Sequence, residues 1–268
     1  MTTLVITPTL GRSPHLAAAV ASIHASGIRM RHVLVCPSSE AARLSRDCER
    51  CEVVGDDGRG VYAAIERGLR ADGDWDAWTW LNDDDLWQPA GMRQVVDLMT
   101  GDPGVDLAYG RVGFLSQAGG FLGYLPVAAR PSMLRRLMAA GVAALSQQGT
   151  IARRRLLEEI GPLDTQYRLA ADFDWWVRVV GRGARLAFVD AHVADFRVRA
   201  GQLSQDTGAM ADEMRRIVAS HFGPRVSLVD RLAAGWFRAW RYREIVERYR
   251  RTGCWRTSTL LRRHGGGV

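Results

Sequence analysis

Through the first hundred residues, short apolar runs alternate with stretches whose apolar positions recur at helical spacing. "TLVIT" (3–7) reads as a buried strand, and Ser13-Pro14 opens a helix that runs to about residue 26. "HVLVC" (32–36) is a second strand, with a helical segment near 39–47, and "CEVV" (51–54) a third, followed by helical "GVYAAIERGL" (60–69). "AWTWL" (77–81) is a fourth strand, and "PAGMRQVVDLM" (89–99) a further helix. Short strands alternating with helices predict an α/β fold with a mainly parallel sheet covered on both faces. Such sheets bind ligands beyond the carboxyl ends of their strands. The segments after strands one, three and four are "PTLGR", "GDDGRG" and "NDDD", so all three are expected on one rim.

The pattern is looser after residue 105. "VDLAYGRVGFLSQAGGFLGYL" (105–125) reads as strands with a Gly-rich hairpin, and "PSMLRRLMAAG" (131–141) as helix. "ARRRLLEEIG" (152–161) is predicted helical and stops at Gly161-Pro162. "AADFDWWVRVVGRG" (170–183) is helical, then "RLAFVD" and "VADFRV" are two strands. From about Pro224 the chain becomes a basic helical appendage.

Composition sharpens this picture in three ways. All 36 basic residues are arginine, which removes lysine-dependent phosphate loops, Schiff bases and lysine general bases, and fits a GC-rich bacterial genome. Residues 225–268 hold eleven arginines against three acids, a net charge of +8, so the remaining body is nearly neutral. The N-terminus "MTTLVITPTLGR" has no basic region ahead of its apolar stretch and reads as a strand rather than a signal peptide, and no apolar run has membrane-spanning length. A cytoplasmic protein is expected. Of four cysteines, Cys48 and Cys51 in "CERC" have redox or zinc spacing. A zinc site needs further ligands and no second pair exists, so ordinary reduced thiols are expected.

Candidate chemistry concentrates in carboxylates. Asp83, Asp84 and Asp85 repel one another, and burying them unpaired would be prohibitive. A hard divalent cation among them removes that cost, and such cations share their coordination with phosphates. A solvated turn is the competing reading, but it explains neither the strand-end position nor the flanking Trp80 and Trp87. In "GDDGRG", Gly58 and Gly60 would let backbone approach a ligand, Asp56 and Asp57 could accept from a nucleoside, and Arg59 could meet a phosphate. A helix-capping surface turn explains those residues equally well. Asp172 and Asp174 do not share a helix face, so one of the two is expected in a site, where apolar bulk would raise its pKa toward that of a general base.

Taken in order, "VITPTLGR", "GRGVYAAIERGL", "LNDDDLWQPAGM", "QQGTIARRRLLEEIGPLD", "YRLAADFDWWVRV" and "FRVRAGQLS" resemble the motifs of family 2 glycosyltransferases with the GT-A fold, over roughly residues 3 to 205. The resemblance implies a catalytic domain over residues 1–222, with a nucleotide-binding half to about 110 and an acceptor half beyond it, and an appendage over 223–268. It places Thr7, Pro8, Thr9 and Arg12 in the first nucleotide-binding loop, and Asp56, Asp57 and Arg59 near the base-binding region. Asn82 and Asp83 fall on the nucleotide-sugar side, Asp84 on the metal position with Asp85 next to it, and Asp172 on the base. The implied reaction is inverting transfer of one sugar from a nucleotide-diphosphate sugar, with Mn²⁺ or Mg²⁺, to a saccharide, lipid-linked or small-molecule acceptor. Polysaccharide or glycoconjugate synthesis is the implied setting. Departures from the pattern are Asn82 for an Asp, Gln147 where a His is frequent, and "AAIE" with Ala63 and Glu66 after "GVY". The Gln-x-x-Arg-Trp motif of processive synthases is absent.

The appendage "DRLAAGWFRAWRYREIVERYRR" (230–251) has two readings. It lies on an anionic membrane, which would place the protein at the inner membrane face, or it packs on the body or on a second subunit; packing is the usual fate of such helices. Nucleic-acid binding finds no motif in support. The rival functions are a sugar-phosphate nucleotidylyltransferase, which the missing lysines disfavour, and an inactive membrane-associated binding subunit.

Overall fold

A computed structural model describes residues 1–265; the last three residues of the basic appendage lie outside the described residues. The chain opens with β1 (Thr3–Pro8), α1 (Leu16–Ala25), β2 (Met30–Pro37), α2 (Ser38–Asp47), β3 (Glu52–Asp56), α3 (Val61–Leu69) and β4 (Ala77–Trp80). These strands pair in parallel in the order β3-β2-β1-β4, as the alternating pattern predicts. β5 (Leu86–Trp87), α4 (Pro89–Gly101), β6 (Leu107–Leu115) and β7 (Phe121–Tyr124) follow. Then come α5 (Leu134–Ala139), β8 (Thr150–Arg153), α6 (Arg154–Ile160), α7 (Ala171–Arg182) and β9 (Leu186–Arg197). The sheet continues β4-β8-β6-β9-β5, with β7 paired to β6, and β8 runs antiparallel to both of its neighbours.

Two expectations need correcting here. Residues Thr150–Arg153 form strand β8, and only Arg154–Ile160 of the expected 152–161 helix is helical. The strand exists because β4 and β6 supply ladder partners on both sides, a long-range cause that local periodicity does not carry. "RLAFVD" and "VADFRV" are one strand, β9, whose register against β6 shifts at Arg111; that irregularity mimics a break in the alternation.

The sheet is apolar on both faces, as covered parallel strands must be. Leu4 and Ile6 of β1 pack in the core under α3, α5 and α7, while Val5 joins the opposite core under α1 and α4. A Cβ at Gly68 of α3 would come within 2.7 Å of the Ile6 side chain, so glycine lets that helix lie close on β1. Trp78 and Trp80 stack at 5.5 Å and meet Trp175 and Trp176 of α7. Each such aromatic pair contributes roughly 0.5–1.5 kcal/mol beyond its burial. Trp87 is buried in the other core. Both tryptophans that fence the aspartates are therefore packing residues, and together they fix where the end of β4 stands.

α8 (Thr207–Phe222), α9 (Leu228–Trp240), α10 (Tyr242–Thr252) and α11 (Thr257–Gly265) complete the described chain. The last three pack on the body. α9 lies on α5 through Ala234 and Phe237, α10 lies on β7, and Glu244 pairs with Arg111 at 3.0 Å. No helix among the described residues is long and apolar enough to cross a membrane.

Candidate active site

The carboxyl ends of β1, β3 and β4 open into one cleft of about 810 Å³. Eight of the sequence-predicted residues line it: Pro8, Thr9, Arg12, Asp56, Asn82, Asp83, Asp84 and Asp172. Trp80 forms part of its floor, and Tyr62 of α3 and Arg199 after β9 part of its walls. Convergence of three strand-end loops and one helix follows from the sheet order, because β1 is flanked by β2 and β4.

The three aspartates after β4 have separate environments. Asp83 accepts from the Thr9 hydroxyl at 2.5 Å, which ties the first loop to the fourth, and its backbone carbonyl accepts from Ser13 Oγ at 3.1 Å. Burial raises the Asp83 pKa, with the Thr9 hydroxyl opposing the shift. Asp84 Oδ2 accepts from Arg199 Nε at 2.5 Å and from Gln202 Nε2 at 3.0 Å. Asp85 is fully buried and does not line the cleft. Its Oδ1 accepts from the Arg197 N–H at 2.9 Å and its Oδ2 from Gln148 Nε2 at 3.0 Å. Burial, and then the charge of Asp84, push its carboxyl well above the usual range. Asp85 therefore braces β9 and the 147–149 turn beneath the site.

Asp172 stands in the first turn of α7, on the wall formed with α3. Its Oδ1 accepts from the Phe173 N–H at 2.8 Å and from the Tyr62 hydroxyl at 3.3 Å. Burial raises its pKa, while those two donors pull it back down. The Tyr62 phenol is pushed well above its ordinary value by burial and then by the Asp172 charge, so it donates. Asp174 points elsewhere, pairing with Arg178 at 2.9 Å and His221 at 3.1 Å, in agreement with the helical-face argument.

The remaining predicted residues lie outside the cleft lining. Thr7 is buried, its hydroxyl 3.0 Å from His32 Nε2 on the far side of β1. Asp57 and Arg59 project into solvent as a loose pair 3.6 Å apart, and neither lines the cleft. Between them Gly58 has φ +69°, and the Asp56 carboxylate accepts from its N–H at 3.0 Å. That turn aims Asp56 at the cleft and leaves the next charges outside.

Several contributors were not singled out by sequence. Arg199 and Gln202 had a signal, since "FRVRAGQLS" puts an arginine and an amide directly after a strand end. Glu213 had none. Buried on α8, it accepts from the N–H groups of Arg168 at 3.0 Å, Leu169 at 2.8 Å and Ala170 at 3.0 Å. It thus holds the approach to α7 and favours the positive end of that helix. Asn82 Oδ1 and Gln147 Oε1 are buried oxygens without a hydrogen-bond partner, and both residues line the cleft.

Residues 2–241 match the family model described as Glycosyltransferase like family 2. No curated protein matches the chain by sequence. Among solved structures, S. aureus TarS 1-349 in complex with UDP-GlcNAc is similar with a TM-score of 0.65 at 15% identity, over 91% of this chain and 73% of that one. The mannosyltransferase PcManGT from Pyrobaculum calidifontis, in complex with GDP-Man and Mn²⁺, is similar with a TM-score of 0.56 at 18% identity, over 88% of this chain and 73% of that one. Against a longer S. aureus TarS structure the TM-score is 0.59 at 13% identity, over 85% of this chain, which spans only 44% of that protein. At these identities the likeness is one of fold.

Proposed function

Because the chain belongs to the glycosyltransferase-like family 2, we propose that it is an inverting, non-processive glycosyltransferase that moves one sugar from a nucleotide-diphosphate donor to an acceptor hydroxyl. The observation that carries this reading is a single cleft holding two unlike carboxylates, a charge-compensated Asp84 and a proton-poised Asp172. Pro8, Thr9, Arg12 and Asp56 give the donor's nucleoside and phosphates a polar bed at the strand ends. Asp172 is the base. Tyr62 and Phe173 hold its Oδ1, which leaves Oδ2 to take the acceptor's proton as the hydroxyl attacks the anomeric carbon. A raised pKa suits that task, because it makes the carboxylate a stronger base toward the acceptor's proton.

The donor set at the end of β4 fits Mn²⁺ or Mg²⁺. Asp84 reaches the cleft, and beside it the buried Asn82 Oδ1 lacks a partner, so hard oxygen ligands are at hand. The three aspartates do not gather their oxygens at one point, so Asp84 is the ligand proposed and Asp85 its support. A metal held by Asp84 would supply positive charge to offset that of the leaving diphosphate. Arg199, one bond away from Asp84, is placed to meet a phosphate oxygen once the carboxylate has another cation to hold.

The acceptor side is read from α9. Leu232, Trp236 and Trp240 are exposed on one side of that helix, and the two indoles stack at 5.7 Å, although the opposite side is seated on the body. An aromatic stripe on a segment of net charge +8 suits an anionic membrane surface, where a lipid-linked acceptor would be met. A panel of nucleotide sugars tested with Mn²⁺ examines the whole proposal. At least one donor is expected to raise the melting temperature and to be turned over. A panel that neither stabilises the protein nor yields product overturns it.

A further inference from the structure

Cys51 takes no part in the donor cleft; behind β1 it meets two histidines. His24 comes from the last turn of α1, His32 from β2, and Cys51 from the turn that precedes β3. Their ligand atoms close a triangle. His24 Nε2 lies 3.2 Å from His32 Nδ1, and Cys51 Sγ lies 3.3 Å from His32 Nδ1 and 3.9 Å from His24 Nε2. Zinc binds imidazole nitrogen at about 2.0–2.1 Å and thiolate sulfur at about 2.3 Å, so tetrahedral angles set edges of roughly 3.3 Å between nitrogens and roughly 3.6 Å between nitrogen and sulfur. The nitrogen–nitrogen edge of 3.2 Å lies close to its value, and the nitrogen–sulfur edges of 3.3 and 3.9 Å lie on either side of theirs. Among the described residues this is the one group of three His, Cys, Asp or Glu side chains close enough to share an ion.

We propose that His24, His32 and Cys51 bind a zinc ion, with water completing the tetrahedron on the partly exposed side. Its support reaches the nucleotide-binding half. The other nitrogen of His32, Nε2, is 3.0 Å from the buried Thr7 hydroxyl. When that hydroxyl accepts from Nε2–H, the Nδ1 lone pair is free, the arrangement that outer partners of metal-bound histidines generally favour. Burial holds His32 down to about 3 and lowers His24 as well, which favours the neutral imidazoles that bind metal. Burial pushes the Cys51 thiol up to about 12, so the ion displaces one proton from sulfur to solvent as it binds. The site ties α1, β2 and the turn before β3 to β1, which leads through Pro8 into Thr9.

Cobalt(II) titrated into the metal-stripped, full-length protein tests this. One cobalt per chain is expected in the site that gives the visible absorption of tetrahedral coordination, with a thiolate-to-cobalt charge-transfer band and release of one proton; zinc should displace it. Cys51→Ser should abolish the charge-transfer band, and His24→Gln should weaken binding at least tenfold. Both residues are partly exposed and tolerate replacement better than the buried His32. Asp84→Asn should leave the band unchanged, because an all-oxygen site produces none. A wild-type protein without the band, or a band undiminished in Cys51→Ser, overturns the assignment.

Discussion

The aspartates at the end of β4 and Asp172 share one cleft but keep different company. Asp84 is met by a guanidinium and an amide, and Asp85 by a main-chain N–H and an amide. Asp172 has a phenol and one N–H, with apolar α7 and its tryptophans behind it. The arrangement at Asp84 suits a carboxylate that exchanges one cation for another, while that at Asp85 suits a buried brace. The arrangement at Asp172 suits a carboxylate that exchanges a proton. Residue type alone does not separate these roles; the donors do.

The largest expected effect lies on the proton side. Asp172→Asn should lower turnover by about 10²–10⁴-fold while leaving donor affinity near wild type, measured by product formation and by calorimetry. Retained turnover would remove Asp172 as base and erase the contrast. Asp84→Asn should cost on the order of a hundredfold in kcat and abolish the response to Mn²⁺, since one preorganised electrostatic partner of the leaving group is lost. An unchanged metal response would move the cation elsewhere. Glu213→Gln should lower kcat by roughly tenfold with donor KM preserved, and destabilise the fold by about 1–3 kcal/mol as three N–H groups lose a charged acceptor. A shift confined to KM would count against a link from α8 to the base.

The smallest effect is a shift of pH profile. Asp172 must be ionised to act, so kcat rises with pH through its pKa, above the ordinary carboxylate range. The Tyr62 hydroxyl stabilises the carboxylate and pulls that pKa down. Tyr62→Phe should therefore move the acid limb of the kcat profile to higher pH. An acid limb that stays in place would mean that the hydroxyl does not bond Asp172 in the working enzyme.

Much of the first half was legible from the chain. β1, β4 and most of β2 are buried on both faces, so each appears as a continuous apolar run, and each parallel crossover leaves a helix between runs. β8 and the unity of β9 were not legible, because ladder partners far along the chain define them, β8 lying antiparallel to β4 and β6 and β9 parallel to β6. The cleft shows the same division. Asp84 and Asp172 could be named from motif and strand-end position, whereas a one-residue step decides that Asp85 turns into the interior. Arg59 fails for a local reason, since the Asp56–Gly58 turn carries it outward. Glu213 lies 43 to 45 residues from the amides it receives, beyond the reach of any window.

The place of Glu213 also bears on how far the enzyme can be shortened. The recognisable motifs end near residue 205, yet the carboxylate that steadies the approach to Asp172 comes from α8, which runs to Phe222. A polypeptide cut after the last motif would keep every residue assigned to donor, metal and proton and still leave three N–H groups without their acceptor. The smallest competent unit therefore includes α8, and a truncation series should lose turnover inside that helix, before the recognisable motifs are reached.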